Sequence, residues 1–303
     1  MRARTWSWIA QRYEESYSAP PWLIIRAQSN IFLSPYGLFL MNPQTENAPE
    51  SGIHLYRHGP VAEVVIHLPS QKNSFRVADV QCLAALLDQV QASDARCLLL
   101  RGGAGVFSAG WDLSSVDMAS ADPMAVIGDV VGPFCKRLRE FPLPTLSAVA
   151  GPALGFGLGL ALACDICIAD EDALLGSPFR NIGFVPDTGA HYFLLERLGY
   201  HRAAELIYTG RLLSGQAAAE ARLINRAVTA GTVVEEARKL ADLIANGPTQ
   251  AFRLSKDILL RGGSFDEMMA REATHQSEVF STADTAEGLQ AFLQRRKPVF
   301  IGR

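Results

Sequence analysis

The 303-residue sequence has no excess of charge of either sign: 28 Lys and Arg stand against 31 Asp and Glu, a net charge of −3. Such a balance gives no electrostatic basis for binding nucleic acid or a membrane surface. Cysteines are few, odd in number and irregularly spaced (Cys82, Cys97, Cys135, Cys164 and Cys167). That argues against a disulfide framework and predicts a reduced, cytoplasmic protein. Cys164 and Cys167 form a C-x-x-C with no second Cys or His pair, so core packing is expected there and no metal site. No apolar run is long enough to span a bilayer, because "LIIRAQSNIFLSPYGLFLM" is broken by Arg26, Asn30, Ser34 and Pro35. The first fifty residues also lack an apolar stretch followed by a small-residue cleavage site, and Glu14 and Glu15 disagree with a transit peptide. Residues 1–51 are therefore expected to be an extension, either disordered or outside the translated protein, with Met41 as the alternative start. No fixed-period repeat or low-complexity tract is present.

What is there is a globular composition, 49% apolar and 19% charged, on a polypeptide long enough for a large core. From about residue 53 the patterning becomes regular. "VAEVVIHL" (61–68), "RCLLL" (96–100), "TLSAVAG" (145–151) and "DICIAD" (165–170) read as strands. Between them, 77–91, 124–140 and 155–164 read as helices, the second with a kink or break at Gly132-Pro133. After Asp187 the sequence turns helical, with segments near 188–198, 201–209, 214–222, 232–246, 248–261 and 264–280. This alternation predicts an α/β fold with a mostly buried sheet. The expected divisions are a core over 52–245 and a helical region over 246–303.

Two stretches expose backbone: "RGGAGVFSAGWDL" (101–113) and "GPALGFGLGL" (151–160). Neither has the Lys of a P-loop, and Gly155, Gly157 and Gly159 are spaced too evenly for a dinucleotide fingerprint. Two readings remain. Gly157 and Gly159 let a helix approach the sheet closely, or the two loops each aim an N–H at one carbonyl oxygen that becomes an enolate.

"FSAGWDL", followed by "AVAGPALGFGLGLALACDICIAD", "GFVPDTGAHYFLLERLG", "AELIYTGRLLSGQAAAEARLINRAV" and "EGLQAFLQRRKPVFIGR", resembles the crotonase, or enoyl-CoA hydratase/isomerase, superfamily from about Gly52 to Arg303. The resemblance implies a ββα spiral with a helical C-terminal trimerisation region. It implies an acyl-CoA thioester substrate, no cofactor apart from the CoA of that substrate, and a trimer or hexamer of identical subunits. It implies oxyanion-hole N–H donors at Trp111, the third residue of the A-G-x-D motif, and at Phe156, where the common pattern has glycine. Substrate contacts are implied around these donors at Ala109, Gly110, Asp112, Leu113 and Gly155. Lys72 and Asn73 are implied near the CoA, and Phe179 and Phe184 complete the implied substrate- or CoA-binding set. Lys256 and Lys297 stand where C-terminal helices reach a neighbouring subunit's ligand; taken alone, each reads as a solvated surface charge.

Hydratases of the superfamily carry two glutamates, and the resemblance puts those positions at Gly159 and Phe179. Neither residue titrates, so plain hydration is not expected. Asp187 remains. It resembles the acid of isomerase-type members, where one carboxylate moves a proton between C2 and C4 of the thioester. Residue pattern alone also allows Asp187 to cap the helix that follows, with Thr188, Gly189 and Ala190 as its first turn. His191, four residues on, stands where it can hydrogen-bond Asp187.

Overall fold

The computed structural model describes residues 31–34, 37–40, 51–117 and 119–303. Most of the expected N-terminal extension, including Met41, lies outside the described residues. The protein divides into two units, Met1–Pro43 and Gln44–Arg303. In the first, β1 (Ile31–Ser34) and β2 (Gly37–Leu40) pair as an antiparallel hairpin.

The second unit is built on a six-stranded sheet. Its strands in sequence order are β3 (Gly52–His58), β4 (Val61–His67), β5 (Cys97–Gly102), β6 (Thr145–Val149), β8 (Ile166–Asp170) and β11 (Arg226–Val228). They lie side by side in the order β11-β8-β6-β5-β4-β3. Only the β3–β4 pair is antiparallel; the other four pairs are parallel. The parallel strands β4, β5 and β6 are covered on both faces, which is why they read as near-continuous apolar runs. The edge strand β3 was not expected: its residues are half-buried or exposed, so "GIHLYRH" lacks the Val/Ile/Leu density of its neighbours. A smaller sheet joins β7 (Pro152–Leu154), β9 (Leu174–Gly176) and β10 (Leu213–Ser214) in the order β10-β9-β7.

Helix α1 (Val77–Gln91) buries Val80, Leu83, Leu87 and Val90, the predicted stripe. The expected kink at Gly132-Pro133 takes the form of a wide π-helical segment, Met124–Val131, running into α2 (Gly132–Arg139). Pro133 has no N–H and would clash with a carbonyl four residues back. The wide turn relieves this, and Gly132 N–H bonds Ile127 C=O five residues back. Helix α3 (Phe156–Ala163) is buried along its whole length. Then follow α4 (Ala190–Leu198), α5 (Tyr200–Thr209), α6 (Gly215–Glu220), α7 (Val233–Ala245), α8 (Thr249–Arg261), α9 (Phe265–Val279) and an unexpected last helix, α10 (Ala283–Leu293).

The main core joins one sheet face to α1, α2 and α3 through residues such as Phe75, Phe107, Leu138, Leu158 and Leu162. On the other face Val61, Leu99, Leu146 and Ile168 meet α7, whose Ala237, Ala241 and Ala245 are spaced by four and let it lie close to the sheet. One charge is sunk at this second layer. Glu63 of β4 is fully buried, with Arg101 Nε 2.5 Å and Arg238 Nε 2.8 Å from its carboxylate oxygens. Burial pushes its pKa up, but hydrogen bonds and charge from Arg238 and Arg101 outweigh burial and hold it below the ordinary value. Cys164 and Cys167 are buried free thiols in the core, as expected. Among the described residues, no helix is long and apolar enough to cross a membrane.

Candidate active site

The first glycine loop leaves β5 and runs beside β7. Phe107 N–H bonds Ala150 C=O at 2.8 Å, Ser108 N–H bonds Pro152 C=O at 2.8 Å, and Leu154 N–H bonds Ser108 C=O at 3.0 Å. The two expected donor loops are thus stitched together by backbone. Gly110 has φ +105°, and a Cβ there would lie 2.8 Å from Leu154 O and 3.8 Å from Phe156 N. No larger residue fits, and the position before Trp111 is pressed against the residue that opens α3.

Trp111 N–H is freed by strand geometry. Gly110 C=O accepts from Phe75 N–H at 2.8 Å, and Asp112 N–H donates to Phe75 C=O at 2.9 Å. Backbone groups alternate sides along an extended strand, so the N–H of Trp111 points away from Phe75. It has no acceptor among the described residues. The same holds for Phe156 N–H, which occupies the first turn of α3, where N–H groups have no intrahelical partner and the helix end favours negative charge.

Phe156 departs from the glycine of the common pattern without strain. The positive φ falls one residue earlier, at Gly155 (φ +52°), where a Cβ would meet Phe179 Cε2 at 3.0 Å. The Phe156 ring is buried, 4.7 Å from Phe75 and 5.7 Å from Trp111 between ring centroids. One of the two readings has Gly157 and Gly159 bringing helix to sheet. They bring α3 to two loops instead. A Cβ at Gly157 would fall 2.7 Å from Ser108 Cβ, and one at Gly159 would fall 2.4 Å from Thr188 O and 2.5 Å from Thr188 Cβ.

Asp187 therefore sits beside the residue that packs on α3, one turn after Phe156. Its carboxylate caps no helix. Helix α4 starts at Ala190, its cap position is Gly189, and only the backbone carbonyl of Asp187 accepts from Ala190 N–H, at 3.0 Å. The carboxylate accepts a 2.6 Å hydrogen bond from the Thr188 hydroxyl. Burial raises its pKa above the ordinary aspartate value, and hydrogen bonds from the Thr188 hydroxyl and from its own backbone oppose that rise only in part. Cys135 of α2 feels the Asp187 charge; burial first and that charge second push its thiol up to about 12. His191 is exposed and makes no hydrogen bond to Asp187.

The remaining expected contacts divide. Phe179 is half-buried on Gly155, and Phe184 is exposed at 42%. Leu113 is exposed beside Trp111, and Ala109 N–H bonds Lys72 C=O at 3.0 Å, tying the 69–73 loop to the first donor loop. Lys72 is exposed, but the Asn73 amide is buried and committed. Its Oδ1 accepts from Leu68 N–H at 2.7 Å and its Nδ2 donates to Val106 C=O at 2.6 Å. Asp112 is likewise committed, 2.6 Å from Arg76 and hydrogen-bonded to the Ser114 N–H and hydroxyl. Lys256 is neither a solvated charge nor free to reach a neighbour: it is buried, 2.8 Å from Asp165 Oδ2, and donates to Leu143 C=O. Lys297 is exposed.

Sequence reasoning missed Thr188 and Ser108 as parts of the site. The available signal was adjacency: each is a hydroxyl residue inside a glycine-bearing loop next to an implied functional residue. A separate groove of about 460 Å³, lined by Arg139, Phe193, Arg197, Phe252 and Lys256 among others, contains none of Trp111, Phe156 or Asp187.

Comparison with known proteins agrees with this architecture. The protein is 34% identical over 250 residues to the 1,2-epoxyphenylacetyl-CoA isomerase of Escherichia coli, covering 80% of its own length and 95% of that protein. It is 33% identical over 291 residues to the mitochondrial enoyl-CoA hydratase domain-containing protein 2 of Homo sapiens, covering 93% and 97%. Among solved structures, an enoyl-CoA hydratase from Mycobacterium tuberculosis H37Rv superposes with a TM-score of 0.76 at 33% identity, covering 84% of this protein and all of that one. Residues 57–303 match the sequence profile of the enoyl-CoA hydratase/isomerase family, and the protein belongs to that family.

Proposed function

We propose that the protein is an enoyl-CoA isomerase that converts a 3-enoyl thioester to the conjugated 2-enoyl thioester. Trp111 N–H and Phe156 N–H hold the thioester oxygen while Asp187 takes a proton from C2. The electron pair spreads over a dienolate, and the same carboxyl returns a proton at C4. Atoms and charge balance with no added cofactor, and CoA enters only as part of the substrate.

The observation that carries the reading is the contact between Gly159 and Thr188. The position where a hydratase glutamate is expected is closed by a backbone carbonyl 2.4 Å from any Cβ, and the second such position holds Phe179. Asp187, next to the Thr188 that packs on α3, supports the reading as the acid that remains, with no cap to make and a raised pKa suited to proton exchange. The name of the Escherichia coli relative favours ring isomerisation of an epoxide thioester as a second reading, since it draws on the same enolate support.

Association into a trimer or hexamer is supported by exposed Phe265, Leu289, Phe292 and Leu293 on α9 and α10. The cytoplasmic location expected from the cysteines stays a proposal beside the mitochondrial location carried in the human relative's name. The test is to incubate purified protein with 3-hexenoyl-CoA and follow the absorbance of the conjugated thioester. Steady formation is expected. Tight binding of the ester without turnover would overturn the proposal in favour of a non-catalytic acyl-CoA-binding protein.

A further inference from the structure

Thr188 is held in a conformation that its residue type rarely adopts. It has a branched Cβ, yet its φ is +58°, in the left-handed region. Such strain persists only where the surroundings over-determine it. Here two contacts do so. The hydroxyl donates to Asp187 Oδ1 at 2.6 Å, and the backbone carbonyl and Cβ lie against Gly159, where any Cβ would come within 2.4 and 2.5 Å of them. Thr188 is buried, and its hydroxyl is the side-chain donor that holds the Asp187 carboxylate.

We propose that Thr188 is a positioning residue that fixes the Asp187 carboxylate against helix α3, and so against the Phe156 N–H at that helix's start. The inference rests on Asp187 being the proton carrier. Glycine at 159 is required because the Thr188 backbone occupies the space a larger residue would take. The hydroxyl selects one orientation of the carboxylate and favours its ionised form. The titratable neighbour on α2, Cys135, stays neutral with its thiol pushed up to about 12. His191 on α4 is exposed and makes no bond to the carboxylate.

Thr188→Val keeps the shape and removes the donor. With 3-hexenoyl-CoA as the probe, kcat is expected to fall roughly tenfold with KM little changed, since a tilted carboxylate misses the proton rather than the ester. The acidic limb of kcat/KM is expected to move up by about one pH unit, because the ionised carboxylate loses its hydrogen bond. Thr188→Ser restores the donor and is expected to restore the limb. Thr188→Gly relieves the strained φ and is expected to shift the limb as Thr188→Val does, which covers the case of a misfolded valine variant. Wild-type kcat and pH profile in Thr188→Val or Thr188→Gly, with Asp187→Asn inactive, overturn the role of Thr188 alone. Full activity in Asp187→Asn overturns the reading of Asp187 and this inference with it.

Discussion

Asp112 follows one free N–H group, that of Trp111, and Asp187 precedes the Thr188 that packs on α3; their surroundings drive them apart. Asp112 follows Trp111 directly. Burial pushes its pKa up, but hydrogen bonds from Ser114 and Arg76 and the Arg76 charge more than offset that, and the carboxyl is held below its ordinary value. Asp187 has burial without a cation, and its pKa is raised. One carboxylate is fully paired and holds a loop; the other has spare basicity and little to hold. A charge that has already found its partners has nothing left for a substrate proton. A buried carboxylate without a cation is therefore the better candidate for a base than one already paired with arginine.

The comparison breaks most visibly in turnover. Asp187→Asn is expected to lower isomerisation roughly 10³-fold, the scale of a lost general base. Asp112→Asn is expected to stay within about tenfold, since it disturbs only the loop that carries Trp111. Similar losses in both variants, measured with 3-hexenoyl-CoA, would erase the distinction.

The next effect in size is steric. Gly159→Glu restores the acid that a hydratase would place there, but its Cβ would overlap the Thr188 backbone. Destabilisation of about 3 kcal/mol, the upper end for overpacking, is expected in denaturant unfolding, with no gain of hydration. A stable Gly159→Glu protein that hydrates 2-hexenoyl-CoA would show that the closure is not what excludes that chemistry.

A smaller effect separates the two aspartates in stability. Arg76 is about half exposed, so the Asp112 pair is screened, and Asp112→Asn is expected to cost about 1 kcal/mol. Because the Asp112 pKa is depressed in the folded state, its contribution is present above the unfolded pKa and fades as pH falls through the folded one. The sign reverses at Asp187. Its folded pKa is raised, so ionisation at neutral pH opposes folding, and the penalty disappears as pH falls below the unfolded value. At pH 7, Asp187→Asn is expected to leave Tm unchanged or slightly higher, while Asp112→Asn lowers it. A drop in Tm for Asp187→Asn would mean that its carboxylate has a stabilising role.

Much of this was legible in the sequence because the signals are local. The α1 stripe, the dense apolar strands and the paired glycine loops each follow from residues a few positions apart. Strand β3 and helix α10 were missed for lack of apolar density; α10 leaves Leu289, Phe292 and Leu293 exposed. The site was half legible. Asp187 could be named, but whether it capped α4 depended on where that helix begins, and the left-handed Thr188-Gly189 pair delays the start to Ala190. Lys256 read as a surface charge because its partner Asp165 is 91 residues away. Thr188 carried no signal of strain, since its left-handed backbone packs where Gly159, on another element, leaves room for it.

The most direct measurement offers 2-hexenoyl-CoA to the wild-type enzyme and quantifies both products as they form. The account predicts 3-hexenoyl-CoA approaching its equilibrium share while the 3-hydroxyacyl thioester stays at background. Formation of the 3-hydroxyacyl thioester at a rate matching or exceeding isomerisation would contradict it, because water would then be activated at a site where Gly159 and Phe179 leave no second acid.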